Sequence, residues 1–242
     1  MGGALLGRWL AEGMGPVAVI DPAPAIVPDG VMSSAEPPEG RPDILILAVK
    51  PQVWRAAAAP LAARAGALTV VVSVMAGVAT ADIAAVFPAS AIIRAMPNTP
   101  AAIGQGVTAL FTSAGDLAEA AAAALFSAAG AIVWLDDEAD FDAVTAVSGS
   151  GPAYVFAFIE ALAAAGVAAG LQPGMAARLA RATVTGAGAL AASDPTSAAD
   201  LRARVTSPGG TTAAGLAVLQ PGLAPLLVAT VAAAAARSRA LR

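Results

Sequence analysis

The sequence predicts an α/β domain followed by an all-α domain, and two observations carry that reading. Short apolar runs alternate with helix-forming stretches as far as Asp136-Asp137, the pattern of strands and covering helices in a mostly parallel sheet. From Glu138 onward only helical stretches follow, so the α/β domain is expected over residues 1–137 and the helical one over residues 138–242. A chain of 242 residues with 58% hydrophobic composition can bury a core in each.

Composition narrows the chemistry. A mean hydropathy of +0.75 raises the possibility of a membrane protein. Pro152 to Leu171 is broken by Glu160, Gly166 and Gly170 and is largely alanine, and neither it nor Leu226 to Ala236 offers about 20 strongly apolar residues. Both are read as buried helices, with no membrane partner expected. Net charge is −4, and the 13 basic residues form no long cluster, which points away from nucleic acid and towards small molecules. There are no cysteines and no histidines, so thiolate chemistry, a histidine base and a histidine-ligated metal are all excluded, and no metal site is expected. No signal peptide is read at the start, and the cytoplasm is the expected compartment.

Taken in order, Ala4 to Ala11 reads as an amphipathic helix with Leu5 and Trp9 on one side, ended by Gly13. Val17 to Ile20 is a short strand ending in Asp21. The Pro, Gly, Ser and Glu content of residues 22–43 reads as irregular loop. Ile44 to Val49 is continuously apolar, as in a strand buried on both faces, and Lys50-Pro51 follows it before a helix at Gln52 to Arg64. Leu68 to Val74 is the next strand, with Met75-Ala76-Gly77 at its end. Ala91 to Ala95 runs into Met96-Pro97-Asn98-Thr99-Pro100, where two prolines stiffen the backbone around Asn98. Gly106 to Phe111 and Ala131 to Leu135 complete the sheet around an alanine-rich helix, Gly115 to Ala129.

In the second half, Ser150 is placed to cap and Pro152 to start a helix reaching about Ala165, apolar almost all round with Glu160 its only charge. Such a helix must be buried on every side, partly by another subunit. Pro173 to Ala192 is a further helix, and Asp194 to Arg204 contains a short one. Then Val205-Thr206-Ser207-Pro208-Gly209-Gly210-Thr211-Thr212 leads into helix-forming Ala213 to Leu219, with Leu223 to Arg239 after it. A stiff Pro followed by Gly-Gly leaves the amides near Gly210, Thr211 and Thr212 free, which suits a carboxylate as well as an ordinary helix start.

Four stretches, LAVKPQ at 47–52, RAMPNTP at 94–100, AVSGSGPAYVF at 146–156 and VTSPGGTT at 205–212, together resemble the pyrroline-5-carboxylate reductase family in the right order over essentially the whole chain. The resemblance implies a Rossmann-like domain that binds NADPH or NADH, a helical domain that dimerises and binds substrate, and an active site between one subunit's nucleotide domain and its partner's helices. The implied partners are 1-pyrroline-5-carboxylate and a second copy of the chain, in a homodimer or a higher oligomer. Gly2 matches the third glycine of the family's G-x-G-x-M-G turn; the first two, and the strand before them, are not in the sequence. Ala48, Val49, Lys50 and Pro51 match its nucleotide-contacting loop, and Val74, Met75 and Ala76 stand where further cofactor backbone contacts are made. Asn98 is expected near the nicotinamide. Asp21 is either a turn acid or the acid that hydrogen-bonds the adenosine ribose, and on the second reading it favours NADH by repelling a 2′-phosphate. Ser207, Gly210, Thr211 and Thr212 become the substrate loop, with Thr212 as the catalytic hydrogen-bonding partner of the ring nitrogen.

The chemistry suits a chain without histidine or cysteine, because a protonated imine accepts hydride without a strong enzymic acid. Two alternatives stand beside it. One is a related two-domain reductase of the β-hydroxyacid type, which would place a lysine on the long interdomain helix, where Tyr154 to Ala165 has none; the other is a non-catalytic relative. A first strand in the middle of the sheet is also expected, supplied by about ten residues upstream of Met1 together with the missing glycines.

Overall fold

The computed structural model describes residues 1–21, 23 and 27–241. By their contacts these divide into two units, Met1–Ser150 with Ala234–Arg242, and Gly151–Ala233.

The first unit opens with helix α1 (Gly2–Ala11), which buries Leu5, Leu6 and Trp9, the i, i+1, i+4 stripe of an amphipathic helix. Strand β1 (Ala18–Ile20) pairs in parallel with β2 (Met32–Ser34) in a two-stranded sheet. Strand β2 corrects the expectation of loop throughout residues 22–43. Its Met-Ser-Ser sequence is exposed along its length and has no apolar alternation to announce it, so only the ladder with β1 reveals it. Residues 22 and 24–26 of that expected loop lie outside the described residues.

A five-stranded sheet follows in the order β3 (Ile44–Leu47), β4 (Val70–Ser73), β5 (Ala91–Met96), β6 (Gly106–Thr112), β7 (Gly130–Trp134). All neighbours are parallel except β5 and β6, which are antiparallel. Strand β4 is buried on both faces in strict alternation: Val70 and Val72 join one core and Val71 the other. The first core gathers Leu5, Trp9, Ile93 and Leu110 with Phe126 of α4 (Asp116–Ser127). The second gathers Leu47, Met75 and Phe87 with Trp54 of α2 (Trp54–Ala58) and Ile83 of α3 (Thr80–Ala84). The helix expected over 52–64 is thus α2 followed by a 3₁₀ segment, Ala59–Arg64, with Pro60 in its first turn.

Strand β3 is not buried on both faces as its apolar run predicts; Ile44, Leu45 and Ile46 are half-buried. The cause is its place at the sheet edge, where among the described residues it pairs with β4 alone. Strand β1, among the described residues, pairs with β2 alone. Between β6 and β7 the backbones approach so closely that a Cβ on Gly130 would lie 2.1 Å from the Gly106 carbonyl oxygen, and its φ of +133° excludes other residues independently.

Helix α5 (Phe141–Val144) widens into a π turn at Thr145–Gly149, closed by the Ser150 amide on the Thr145 carbonyl at 2.8 Å. Ser150 itself has helical backbone, φ −85° and ψ −20°, so it does not cap the next helix as expected: the helical path arrives unbroken and leaves no free amides there for a cap.

The second unit begins with helix α6 (Gly151–Ala168), followed by α7 (Pro173–Ser193). They pack closely where a Cβ on Gly166 would come within 3.2 Å of the Ala176 Cβ. Helix α8 (Ala198–Arg204) is capped by the Ser197 hydroxyl, which accepts the Asp200 amide. Helix α9 (Thr211–Arg239) runs unbroken through Pro221 and Pro225, where the sequence predicts two helices; each proline forgoes one backbone bond, at positions 217 and 221, and the remaining ladder holds. No residue of α6 is buried within the single chain, and Val155, Phe156, Phe158 and Leu162 are exposed. The burial expected of it must therefore come from outside the chain. By length and mean hydropathy alone, 138–168 and 211–239 could cross a membrane, more than the sequence reading allowed, because the helices continue past their glycines and prolines.

Candidate active site

The C-terminal ends of β3, β4 and β5 share one sheet edge, because the three strands are parallel. Helix α1 starts at the same place: a Cβ on Gly2 would sit 3.0 Å from the Ala48 Cβ, the close approach of helix to strand end that the third glycine of a nucleotide-binding turn permits. The Val53 amide bonds back to the Lys50 carbonyl at 3.1 Å, closing Lys50 to Val53 as a turn directly after Ala48 and Val49. Lys50, the one lysine of the chain, is exposed there. The Val74 amide donates to the Leu47 carbonyl at 3.1 Å, and the Met75 amide to Ser73 Oγ at 3.3 Å. Met75 is 2% exposed, its side chain spent on the second core, so that stretch can offer a ligand backbone, together with the exposed Ala76.

Asp21 ends β1. Its amide bonds to the Ser34 carbonyl at 3.0 Å, and its Oδ1 accepts the Ala23 amide at 2.9 Å, with no partner for Oδ2 among the described residues. Asn98 is buried, with Nδ2 donating to the Ser148 carbonyl at 3.1 Å and Oδ1 accepting the Val107 amide at 2.9 Å.

Four residues before Asn98 begins a charged cluster that the sequence reading did not single out. Arg94, on β5 and 3% exposed, donates from Nη1 to Glu138 Oε1 at 2.9 Å and stacks over the Phe141 ring at 4.1 Å. Glu138 also accepts the Thr80 amide at 2.9 Å and the Thr80 hydroxyl at 2.7 Å, at the start of α3. Burial opposes ionisation of Glu138, but these hydrogen bonds and the guanidinium charge outweigh it and hold the carboxyl below the ordinary glutamate range. The available signal was a lone arginine in the apolar strand Ala91–Met96.

The threonine loop lies in the second unit. The Gly210 amide bonds to the Ser207 carbonyl at 3.1 Å, closing a turn with Pro208 and with Gly209 at φ +69°. This corrects the expectation that the Gly210 amide is free: the turn consumes it. The amides without a backbone acceptor are those of Thr211, Thr212 and Ala213, the first three of α9, since the first bond back is Ala214 to Gly210 at 3.1 Å. Ala213 was missed because its side chain is silent; only the turn geometry shows its role. Gly210 also keeps the Ser207 hydroxyl in place, for a Cβ there would lie 2.4 Å from Ser207 Oγ and displace it. Thr211 and Thr212 are exposed, which leaves their hydroxyls accessible at the head of a 29-residue helix.

Comparison with known proteins agrees with these motifs. Residues 138–241 match the family described as pyrroline-5-carboxylate reductase dimerisation. The chain is 47% identical to a pyrroline-5-carboxylate reductase of Synechocystis over 82% of its own length and 75% of the relative's. It is 42% identical to that of Arabidopsis thaliana over 87% and 77%. Its fold matches the structure of a pyrroline-5-carboxylate reductase from Coxiella burnetii with a TM-score of 0.88 at 32% identity, covering 98% of this chain and 93% of that one. It matches the Plasmodium falciparum pyrroline carboxylate reductase with NADP bound with a TM-score of 0.83 at 25% identity, over 99% and 94%.

Proposed function

The chain belongs to the pyrroline-5-carboxylate reductase family, and from that premise we propose that it reduces 1-pyrroline-5-carboxylate to L-proline, the last step of proline biosynthesis. The observation that carries the reading to particular residues is the set of three unbonded amides and two exposed hydroxyls that begins α9 behind the Ser207–Gly210 turn. These amides suit the substrate carboxylate, at the positive end of a long helix dipole. Thr212 Oγ1 suits the ring nitrogen, and Ser207 supports the turn. As hydride adds to the imine carbon, the C=N π pair passes to the already protonated nitrogen, which stays in the ring as the secondary amine of proline. The protein's part is to orient and to hold charge.

A nicotinamide nucleotide supplies the hydride when bound. The sheet edge fits one: Gly2 packs tightly on Ala48, where a Cβ would sit 3.0 Å from the Ala48 Cβ, and Ala48 to Pro51 with Val74 to Ala76 present backbone along it. Asp21 is assigned to the adenosine ribose. A carboxylate there repels a 2′-phosphate, and no arginine follows before Arg41, so NADH is the preferred form for this chain, although the Plasmodium relative holds NADP. Assaying 1-pyrroline-5-carboxylate reduction with each nucleotide tests both points. Turnover with neither overturns the function, and a higher kcat/KM with NADPH overturns the reading of Asp21.

We assign the exposed faces of α6 and α9 to a second copy of the chain, because both lie within the region matched to dimerisation. The same burial removes the need for a bilayer, and the cytoplasm is the compartment we assign to the enzyme. Sedimentation is expected to give a dimer, or a multiple of it, at micromolar concentration; a stable monomer overturns this assignment.

A further inference from the structure

Asn98 ties together three segments far apart in sequence, and the need for it can be read residue by residue. Ser148 lies in the π turn Thr145–Gly149, and four residues further on stands Pro152, which has no N–H. The Ser148 carbonyl therefore lacks its ordinary helical donor. Asn98 Nδ2 takes that place at 3.1 Å. Its Oδ1 accepts the Val107 amide at 2.9 Å, beside Gly106, where an added Cβ would lie 2.7 Å from the Ala101 amide nitrogen. With 8% of its surface exposed, Asn98 is fixed at both ends of its amide.

Resting on the reading of this sheet edge as the nucleotide site, we propose that Asn98 is a positioning residue for hydride transfer and not a ligand of the nucleotide. It clamps the backbone of Met96 to Asn98 to the π turn on one side and to β6 on the other, so that the loop keeps one position at the end of β5. Arg94, two residues before Met96, holds the same strand end through Glu138 and Phe141.

The test uses Asn98→Asp and Asn98→Leu in the full chain. Asn98→Asp keeps the shape and the acceptor for Val107 but, when ionised, faces the Ser148 carbonyl with no hydrogen to donate. When protonated, it donates again. At pH 8 both variants are expected to lose about ten- to a hundred-fold in kcat, with the dissociation constant of the nucleotide, read by tryptophan fluorescence, changed less than about twofold. As pH is lowered, the kcat of Asn98→Asp relative to the parent rises towards unity, whereas that of Asn98→Leu stays flat. Hydrogen exchange reads the clamp independently of turnover: protection in peptides covering 96–107 and 144–150 falls in Asn98→Leu and recovers in Asn98→Asp at low pH. Loss of nucleotide affinity in parallel with kcat, or unchanged kcat in both variants, overturns the proposal. A parent without turnover overturns the functional reading instead, and unaltered exchange in both variants then overturns the clamp.

Discussion

Thr212→Val is expected to lower kcat/KM for 1-pyrroline-5-carboxylate by about ten- to a hundred-fold while leaving nucleotide affinity unchanged. A single hydroxyl hydrogen bond to a cationic nitrogen contributes about 1.5–3 kcal/mol, and this range of rates follows if the bond strengthens as charge redistributes in the transition state. The chain has no histidine or cysteine to share the task. Valine keeps the β-branching and volume of threonine, and Thr212 is exposed in the first turn of α9, so the helix start should persist and the loss can be assigned to the hydroxyl. Thr211→Val should do little, because Thr211 contributes its amide. Steady-state kinetics of the two variants beside nucleotide titrations decide the matter. Full activity in Thr212→Val, or a joint loss of nucleotide binding, reduces the residue to part of the helix start.

The parts of this site that were legible in sequence are those set by local chemistry. Pro208-Gly209 announces a turn, and the helix-forming run after Thr212 announces a helix head, so the position of the helix start and its unbonded amides was read to within one residue. Which amide the turn consumes depends on where its ring closes, and that moved the free set from Gly210 onto Ala213. The strands of the main sheet were legible because each is an apolar run bounded by turn residues. Strand β2 was not, because it is polar and exists only through its pairing with β1. The half-burial of β3 was hidden for the same reason: an apolar run states what a strand could bury, while its neighbours in the sheet decide what it does bury. Asn98 shows the limit at the site itself. Its loop was recognisable, but its partners are 50 and nine residues away, and the orphaned carbonyl that requires it is created by a proline in another element.

Glu138→Ala is expected to be the most destabilising of the changes considered, because it removes the partner of a buried cation. Arg94 is 3% exposed and its Nε already has no hydrogen-bond partner; without Glu138 the guanidinium keeps the face of Phe141 as its remaining identified contact. Breaking a fully buried pair costs about 3–5 kcal/mol, and since the Glu138 side chain is 22% exposed, screening by solvent brings this down to about 2–3 kcal/mol. For a chain of this size that is a fall of about 4–12 °C in Tm, measured at fixed protein concentration because the dimer couples to folding. The pH dependence follows from the sign of the shift. Glu138 titrates lower in the folded chain than when unfolded, so its contribution is complete above the ordinary glutamate range and fades as pH falls through its lowered value. The gap in Tm between parent and Glu138→Ala should therefore be widest at neutral pH and narrow on acidification. Replacing both partners by apolar residues, Arg94→Met with Glu138→Leu, should recover much of the loss, because no charge is then left buried. A double variant no better than Glu138→Ala would mean that the carboxylate matters through its contact with Thr80 at the start of α3 and not through Arg94, and a gap that stays constant with pH would mean that the charge of Glu138 does not carry the stabilisation.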